Sequence, residues 1–112
     1  RLHPDQEQRV PYVRQCIGPS TGPIVAATDW MKAVPDMVAR WIDRPFTVLG
    51  TDGFGRSDTR DALRTHFEVN AEHIAYAALH ALCLDGKSTP EELRRAIADL
   101  GIDPERVNPL YA

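Results

Sequence analysis

Residues 50–67 read GTDGFGRSDTRDALRTHF, and this turn-and-helix stretch decides which fold the chain can adopt. It directly follows Phe46–Leu49, a short apolar run between a proline and a glycine that is typical of a buried strand. A polar side chain at the start of the next helix can accept hydrogen bonds from its free N–H groups, and the candidates are Ser57, Asp58 and Thr59. Leu63 and Phe67 then form the buried edge of that helix. A strand that turns at glycines into a helix indicates an α/β fold.

A second strand and helix precede this stretch. Ile24–Ala27 is another short apolar run bounded by turn-forming and polar residues, and it predicts a strand. Apolar side chains then recur at three- and four-residue steps, at Trp30, Met31, Val34, Met37, Val38, Trp41 and Ile42. This spacing predicts one amphipathic helix with Pro35 in its first turn, and the two tryptophans are expected to be core residues. Strand, helix and strand within about thirty residues form a βαβ unit, whose strands should be parallel.

Two further helices follow. Asn70 can cap a helix that runs to about Leu84 and is apolar on nearly every face, which is typical of a buried helix. The sequence Thr89-Pro-Glu-Glu92 predicts a capping box with proline in the first helical turn. That helix should stop at Gly101, because glycine readily adopts the left-handed conformation after a helix. Residues 103–109 suggest one more turn and an extended end.

The N-terminal residues 1–23 contain four prolines and no clear period, so they predict an extended lead-in segment with local turns. Residues 24–112 then form the α/β domain. Two short parallel strands would leave unpaired edges, because a parallel sheet is normally covered on both faces and contains more strands. We therefore expect the domain to be incomplete on its N-terminal side.

The charge and the apolar content of the sequence argue against several classes of binding partner. The net charge is −3, and basic residues alternate with acidic ones, so no face is set aside for nucleic acid or an anionic membrane. The longest apolar tract, 74–84, is too short to span a bilayer, and no signal peptide opens the chain. Cys16 and Cys83 lack metal-ligand spacing and predict free thiols in a reducing compartment, which favours the cytoplasm. Since the first residue is Arg1, we expect a piece of a longer protein or a cleaved chain.

The glycines, histidines and cysteines of the chain do not match known catalytic or ligand-binding motifs. The glycines at 50, 53 and 55 follow a strand, but their order matches neither a dinucleotide fingerprint nor a P-loop, and Asp52 would repel a phosphate. Three histidines recur at seven-residue steps, too far apart along one helix to share a metal ion; they are His66, His73 and His80. Cys83 lies in apolar surroundings, which disfavour the charged thiolate that a nucleophile requires. A glycine-shaped structural corner is the favoured interpretation.

Four blocks of sequence carry a resemblance to a known family. They are RVPYV at 9–13, AATDWMK at 26–32, VLGTDGFGRSDTRDALRTHFEV at 48–69 and GIDPERVNPLYA at 101–112. In order and spacing they resemble the C-terminal region of the homodimeric, thiamine-diphosphate-dependent pyruvate dehydrogenase family, over essentially the whole chain. This resemblance implies a partial transketolase C-terminal-like domain, with a mostly parallel sheet packed by helices. Pro35 departs from the family pattern, which places the pyruvate specificity in question.

The same resemblance places the chemistry outside this chain. It implies thiamine diphosphate and Mg²⁺ in the assembled enzyme, bound by two earlier domains, so no catalytic, cofactor-binding or metal-binding residue is expected here. The candidates are instead loop and interface residues at the carboxyl edge of the sheet, namely Asp52, Gly53, Phe54, Gly55, Arg56, Ser57 and His66. The expected partners are the thiamine-binding domains and a lipoyl-bearing acyltransferase or other acyl acceptor. Nucleic acid and membrane are not expected as partners.

Two other functions stay open. The chain can be a non-catalytic assembly or regulatory module that reuses this fold, or part of a divergent transketolase-like biosynthetic enzyme. The sequence identifies neither the 2-oxo acid nor the acyl acceptor, and it assigns no role to the two cysteines. As part of a pyruvate dehydrogenase-like enzyme, the isolated chain is expected to be inactive.

Overall fold

The computed structural model describes residues 2–112 as two strands with flanking helices. The α-helices are α1 (Tyr12–Ile17), α2 (Ala33–Asp36), α3 (Arg60–His66), α4 (Ala71–Leu84) and α5 (Pro90–Asp99). The strands are β1 (Ile24–Ala27) and β2 (Phe46–Leu49), and short 3-10 turns occupy Ala39–Trp41 and Pro109–Tyr111. This architecture confirms the predicted α/β class.

The two strands pair in parallel, as the βαβ pattern predicts. Ile24 lies opposite Phe46 and Ala27 lies opposite Leu49, so the strands begin and end at the same level. The segments that follow them, from Thr28 and from Gly50, therefore leave the sheet side by side at its carboxyl edge. Among residues 2–112 the sheet has only these two strands, which matches a partial transketolase C-terminal-like domain.

The predicted helix from Trp30 to Ile42 is wrong in its length. The structure has only α2 and a separate 3-10 turn in this segment. Several of its hydrogen bonds span three residues rather than four, as in the bond from Val38 N–H to Pro35 O at 3.1 Å. Pro35 lacks an N–H group, and little of the described chain packs on this segment, so the α-helix does not propagate.

The lead-in segment also differs from its predicted extended form. Residues 12–17 form α1, which ends at Gly18 with φ of 64°. Arg14 holds this helix near the 3-10 turn, because its Nε donates to the Trp41 carbonyl oxygen at 2.8 Å. Residues 1–23 are thus not uniformly extended, whereas the division of the chain at residue 24 stays a prediction.

The other helix boundaries follow the sequence closely. Thr59 Oγ1 accepts a hydrogen bond from Ala62 N–H at 3.3 Å, and Asn70 Oδ1 accepts one from His73 N–H at 3.2 Å. Thr89 and Glu92 form the predicted reciprocal capping box before α5. Gly101 follows that helix with φ of 65°, as expected for a residue that ends it.

Burial is much lower than the sequence predicts. The buried apolar residues of the described chain are Val69, Ala81 and Leu93, so α4 contributes one buried side chain rather than being buried all round. Trp30 is 71% exposed and Trp41 is 42% exposed, which contradicts their expected place in a core. Among the described residues α4 packs against β1, β2 and α5, while Leu79 and Leu84 on the same helix are exposed.

The chain is correspondingly expanded. Its radius of gyration is 17.2 Å, whereas a compact domain of this length has about 13 Å. Its accessible surface is 8592 Å², about 2,400 Å² more than the surface expected of a compact monomer of the same mass. The surplus includes side chains that normally pack, such as Leu84 and Met37.

Candidate functional site

The two segments that leave the sheet are joined to each other by hydrogen bonds. Thr51 donates twice to the segment after β1: its N–H to the Trp30 carbonyl oxygen and its Oγ1 to the Asp29 carbonyl oxygen, both at 3.0 Å. Gly50 is buried between them, and a Cβ at this position would lie 2.7 Å from Trp30 O. The carboxyl edge of the sheet is therefore a fixed corner that requires glycine at position 50.

Asp52 is part of that corner. Its Oδ1 accepts a hydrogen bond from the Lys32 backbone N–H at 2.9 Å. The carboxylate thus satisfies a backbone donor of the neighbouring segment, which is a structural role.

Gly53 connects the corner to the C-terminal segment. Its φ is 106°, and a Cβ would lie 2.5 Å from the Pro109 carbonyl oxygen. No other residue type fits here without displacing the backbone of residues 109–110. The close approach fixes the loop that carries Phe54, Gly55 and Arg56 relative to the end of the chain.

A groove of about 490 Å³ opens between this loop and α3. We call it the arginine groove, and its lining residues are Asp29, Thr51, Gly53, Phe54, Gly55, Arg56, Asp58, Arg60, Leu63, Arg64, Phe67 and Val69. Three of the lining side chains are arginines, two are aspartates and two are phenylalanines. The groove brings together four of the predicted site residues, from Gly53 to Arg56.

A second groove of about 710 Å³ adjoins the first at the start of α4. Asp29, Arg64 and Val69 line both grooves. Arg64 Nη2 and Asp29 Oδ2 form an ion pair at 3.7 Å between side chains that are roughly half or more exposed. This pair stands at the junction of the two grooves and, at that exposure, contributes little to stability.

His66 lies at the end of α3 and does not line the arginine groove. Burial lowers the pKa of His66 from its ordinary value of 6.5, the charges of Arg56 and Arg106 lower it further, and Glu68 opposes them. Arg106 Nη2 donates to the His66 carbonyl oxygen at 3.3 Å, and its Nε lies 3.9 Å from Glu68 Oε1. His66 is thus placed among cations and is favoured in its neutral form.

Ser57 is exposed and lies outside the groove lining. Eight residues of the groove lining were absent from the predicted site residues, and Asp29, Arg60 and Arg64 are among them. Arg60 and Arg64 are four residues apart in α3, a spacing that brings side chains to one side of a helix, whereas Arg56 lies in the loop before it. That signal was available, but Asp29 is brought in only by the parallel pairing of the strands.

The remaining histidines and cysteines form no second site. His73 is held by the helix cap at Asn70, its Nε2 is buried without a partner, and burial lowers its pKa. Cys16 and Cys83 are both free thiols, and Cys16 is exposed. Across residues 2–112 no three His, Cys, Asp or Glu side chains lie close enough together to hold a metal ion. Within the same residues no helix is both long and apolar enough to cross a membrane.

Comparison with known families identifies the class of this domain. The transketolase-like TK C-terminal domain family matches residues 5–70, which is more than half of the chain. The match includes β1, β2, the fixed corner and α3, so it covers the elements that build the arginine groove. The chain belongs to this family.

Individual relatives extend the match to nearly the whole chain. It is 47% identical over 111 residues to the pyruvate dehydrogenase E1 component of Pseudomonas aeruginosa, with 98% of this chain and 13% of the relative covered. The E1 components of Haemophilus influenzae and Escherichia coli K12 are 46% and 44% identical, each over 99% of this chain and 12% of the relative. The chain thus spans about one eighth of the length of these relatives. Their similarity to it confirms the predicted resemblance.

Proposed function

We propose that this chain is the C-terminal part of a thiamine-diphosphate-dependent pyruvate dehydrogenase, in which it supplies architecture and an interface rather than catalytic groups. One observation carries the proposal: relatives named as pyruvate dehydrogenase E1 components match 98–99% of the chain at 44–47% identity. Similarity of this extent covers the fixed corner as well as the helices. It favours an enzyme subunit over a module that shares only the fold.

The cofactor is proposed to bind elsewhere in the enzyme. The family resemblance implies that thiamine diphosphate and Mg²⁺ are held by two earlier domains. We therefore place both in the thiamine-binding domains outside this chain and assign no step of the reaction to its residues. When bound there, thiamine diphosphate supplies the electron sink that allows a 2-oxo acid to lose carbon dioxide.

The role left for the chain is to pack against those domains. Parallel α/β sheets collect functional loops at the carboxyl ends of their strands, and here that edge carries the fixed corner and both grooves. The surplus of about 2,400 Å² of exposed surface is in the range that a large permanent interface buries. A lipoyl-bearing acyltransferase is the proposed acceptor of the acyl unit. Two free cysteines support a cytoplasmic location.

The test uses the full-length protein that contains this chain. Purified with thiamine diphosphate and Mg²⁺, it should oxidise pyruvate with an artificial electron acceptor, and omission of thiamine diphosphate should abolish the activity. Removal of residues 24–112 should prevent assembly. A folded full-length protein that binds no thiamine diphosphate would indicate the non-catalytic module, and one that processes another 2-oxo substrate would indicate the divergent biosynthetic enzyme.

A further inference from the structure

The arginine groove has an excess of positive charge, with three arginines against two aspartates. Of its two aspartates, Asp29 pairs with Arg64, and Asp58 Oδ1 accepts a hydrogen bond from Thr59 N–H at 2.7 Å. Arg56 and Arg60 are both exposed and form no ion pair with any residue from 2 to 112. Two guanidinium groups that line the same groove are therefore available to a carboxylate from elsewhere.

The same groove also presents apolar surface. Phe54 is 81% exposed although it is a large apolar side chain, and it stands between two glycines beside Arg56. Leu63, Phe67 and the buried Val69 also line the groove. Exposed aromatic and arginine side chains in one patch are typical of the centre of a protein interface.

The shape of the groove favours a polypeptide segment over a small molecule. Small-molecule sites enclose most of the ligand surface, whereas this groove of about 490 Å³ is partly open to solvent. A planar arginine fork binds a carboxylate with two parallel hydrogen bonds, which gives direction to a segment laid along the groove.

We propose that the arginine groove docks an acidic segment from the part of the enzyme outside this chain, with a carboxylate between Arg56 and Arg60 and an apolar side chain against Phe54. This inference rests on the proposed function. The occupant is assigned to the same enzyme because the relatives are about eight times longer than this chain. The chain also exposes far more surface than a compact domain of its mass.

The first experiment measures protection of arginines in the full-length enzyme. Phenylglyoxal modifies accessible guanidinium groups, and mass spectrometry of the digest gives a rate for each one. Arg56 and Arg60 should react about tenfold more slowly than Arg94, an exposed arginine of α5 outside both grooves. Equal rates at the three positions would overturn the proposal. Equal rates that become protected only on addition of inorganic phosphate would assign a small-anion site instead.

The second experiment identifies the occupant. Arg60→Lys places an amine in the groove, and a carbodiimide then joins it directly to a carboxylate in contact. The cross-linked peptide should contain an Asp or Glu from outside residues 1–112, whereas the matched control Arg94→Lys should give no such product. Absence of a cross-link from Lys at position 60, or a cross-link to an acidic residue within 1–112 of a second copy, would refute the assignment.

These experiments distinguish failure of the docking inference from failure of the proposed function. Pyruvate oxidation is measured on the same preparation. An active enzyme with unprotected Arg56 and Arg60 overturns the docking inference and leaves the proposed function in place. A protected and cross-linked groove in a protein without thiamine-diphosphate-dependent activity overturns the function and leaves the docked acidic segment.

Discussion

Arg56 is the residue on which the interface role of the corner depends. If it holds a carboxylate across an interface, Arg56→Lys should weaken assembly of the full-length enzyme and lower its affinity for thiamine diphosphate, because an ammonium group cannot form two parallel hydrogen bonds. Cofactor titration and sedimentation measure both effects, and Arg94→Lys is the control. If Arg56→Lys lowers the melting temperature while assembly and turnover stay normal, Arg56 only shapes the corner.

His66 and His73 predict a dependence of stability on pH. The pKa of each is lowered in the folded chain, chiefly by burial, so the unfolded state binds protons more readily. The contribution of these histidines to the free energy of unfolding is fully present above about pH 6.5, the unfolded value, and is lost as the pH falls through their lowered folded pKa values.

Urea unfolding of the full-length protein between about pH 5 and pH 8 measures this dependence. The unfolding midpoint of the segment should fall towards acid, and His66→Gln should make that fall smaller. The same steepness in the His66→Gln variant would show that His66 does not contribute.

At the scale of elements, the loop between β2 and α3 depends on Gly53. Gly53→Ala adds a Cβ where the Pro109 carbonyl oxygen lies 2.5 Å away, at a φ of 106° that side chains avoid. We expect a loss of about 1–3 kcal/mol in the free energy of unfolding. Gly55→Ala is the matched control, since its Cβ would meet no atom within 4 Å. Chemical unfolding of both variants measures the difference, and equal losses would show that the contact with Pro109 is not needed.

Helix ends were predictable from sequence, because the residues that determine them are adjacent in the chain. Asn70 and Thr89 cap their helices as predicted, and Thr59, one of three candidates, caps α3. A cap is predictable because it needs only the side chain and the next three residues. The helix expected from Trp30 was not predictable in the same way. Its stripe of apolar residues favours an α-helix only when another surface packs on it, and the described chain provides little such surface.

The candidate site was predictable in part for the same reason. The turn at Gly50 to Arg56 follows from glycines and a strand end, which are adjacent in sequence. Asp29 joins the groove through strand pairing, and Pro109 reaches Gly53 from the far end of the chain. Contacts between residues so distant in sequence leave no mark in the local pattern.

For the whole molecule, we expect the isolated 112 residues to be poorly folded, oligomeric or prone to aggregate. The two strands leave unpaired edges, and large apolar side chains such as Trp30 and Met37 are exposed. Sedimentation and thermal unfolding at several concentrations test this expectation. A monomer with one sharp transition that is independent of concentration would contradict it.

The contact between Gly53 and Pro109 also orders events during folding. More than fifty residues separate the two partners, so the ribosome releases the loop well before the segment that fixes it. Closing so long a loop costs conformational entropy, and this cost is offset only once the contact has formed. We therefore expect the contact to form late in folding. Gly53→Ala should therefore leave the folding rate almost unchanged and accelerate unfolding, because a contact absent from the transition state acts on the unfolding rate.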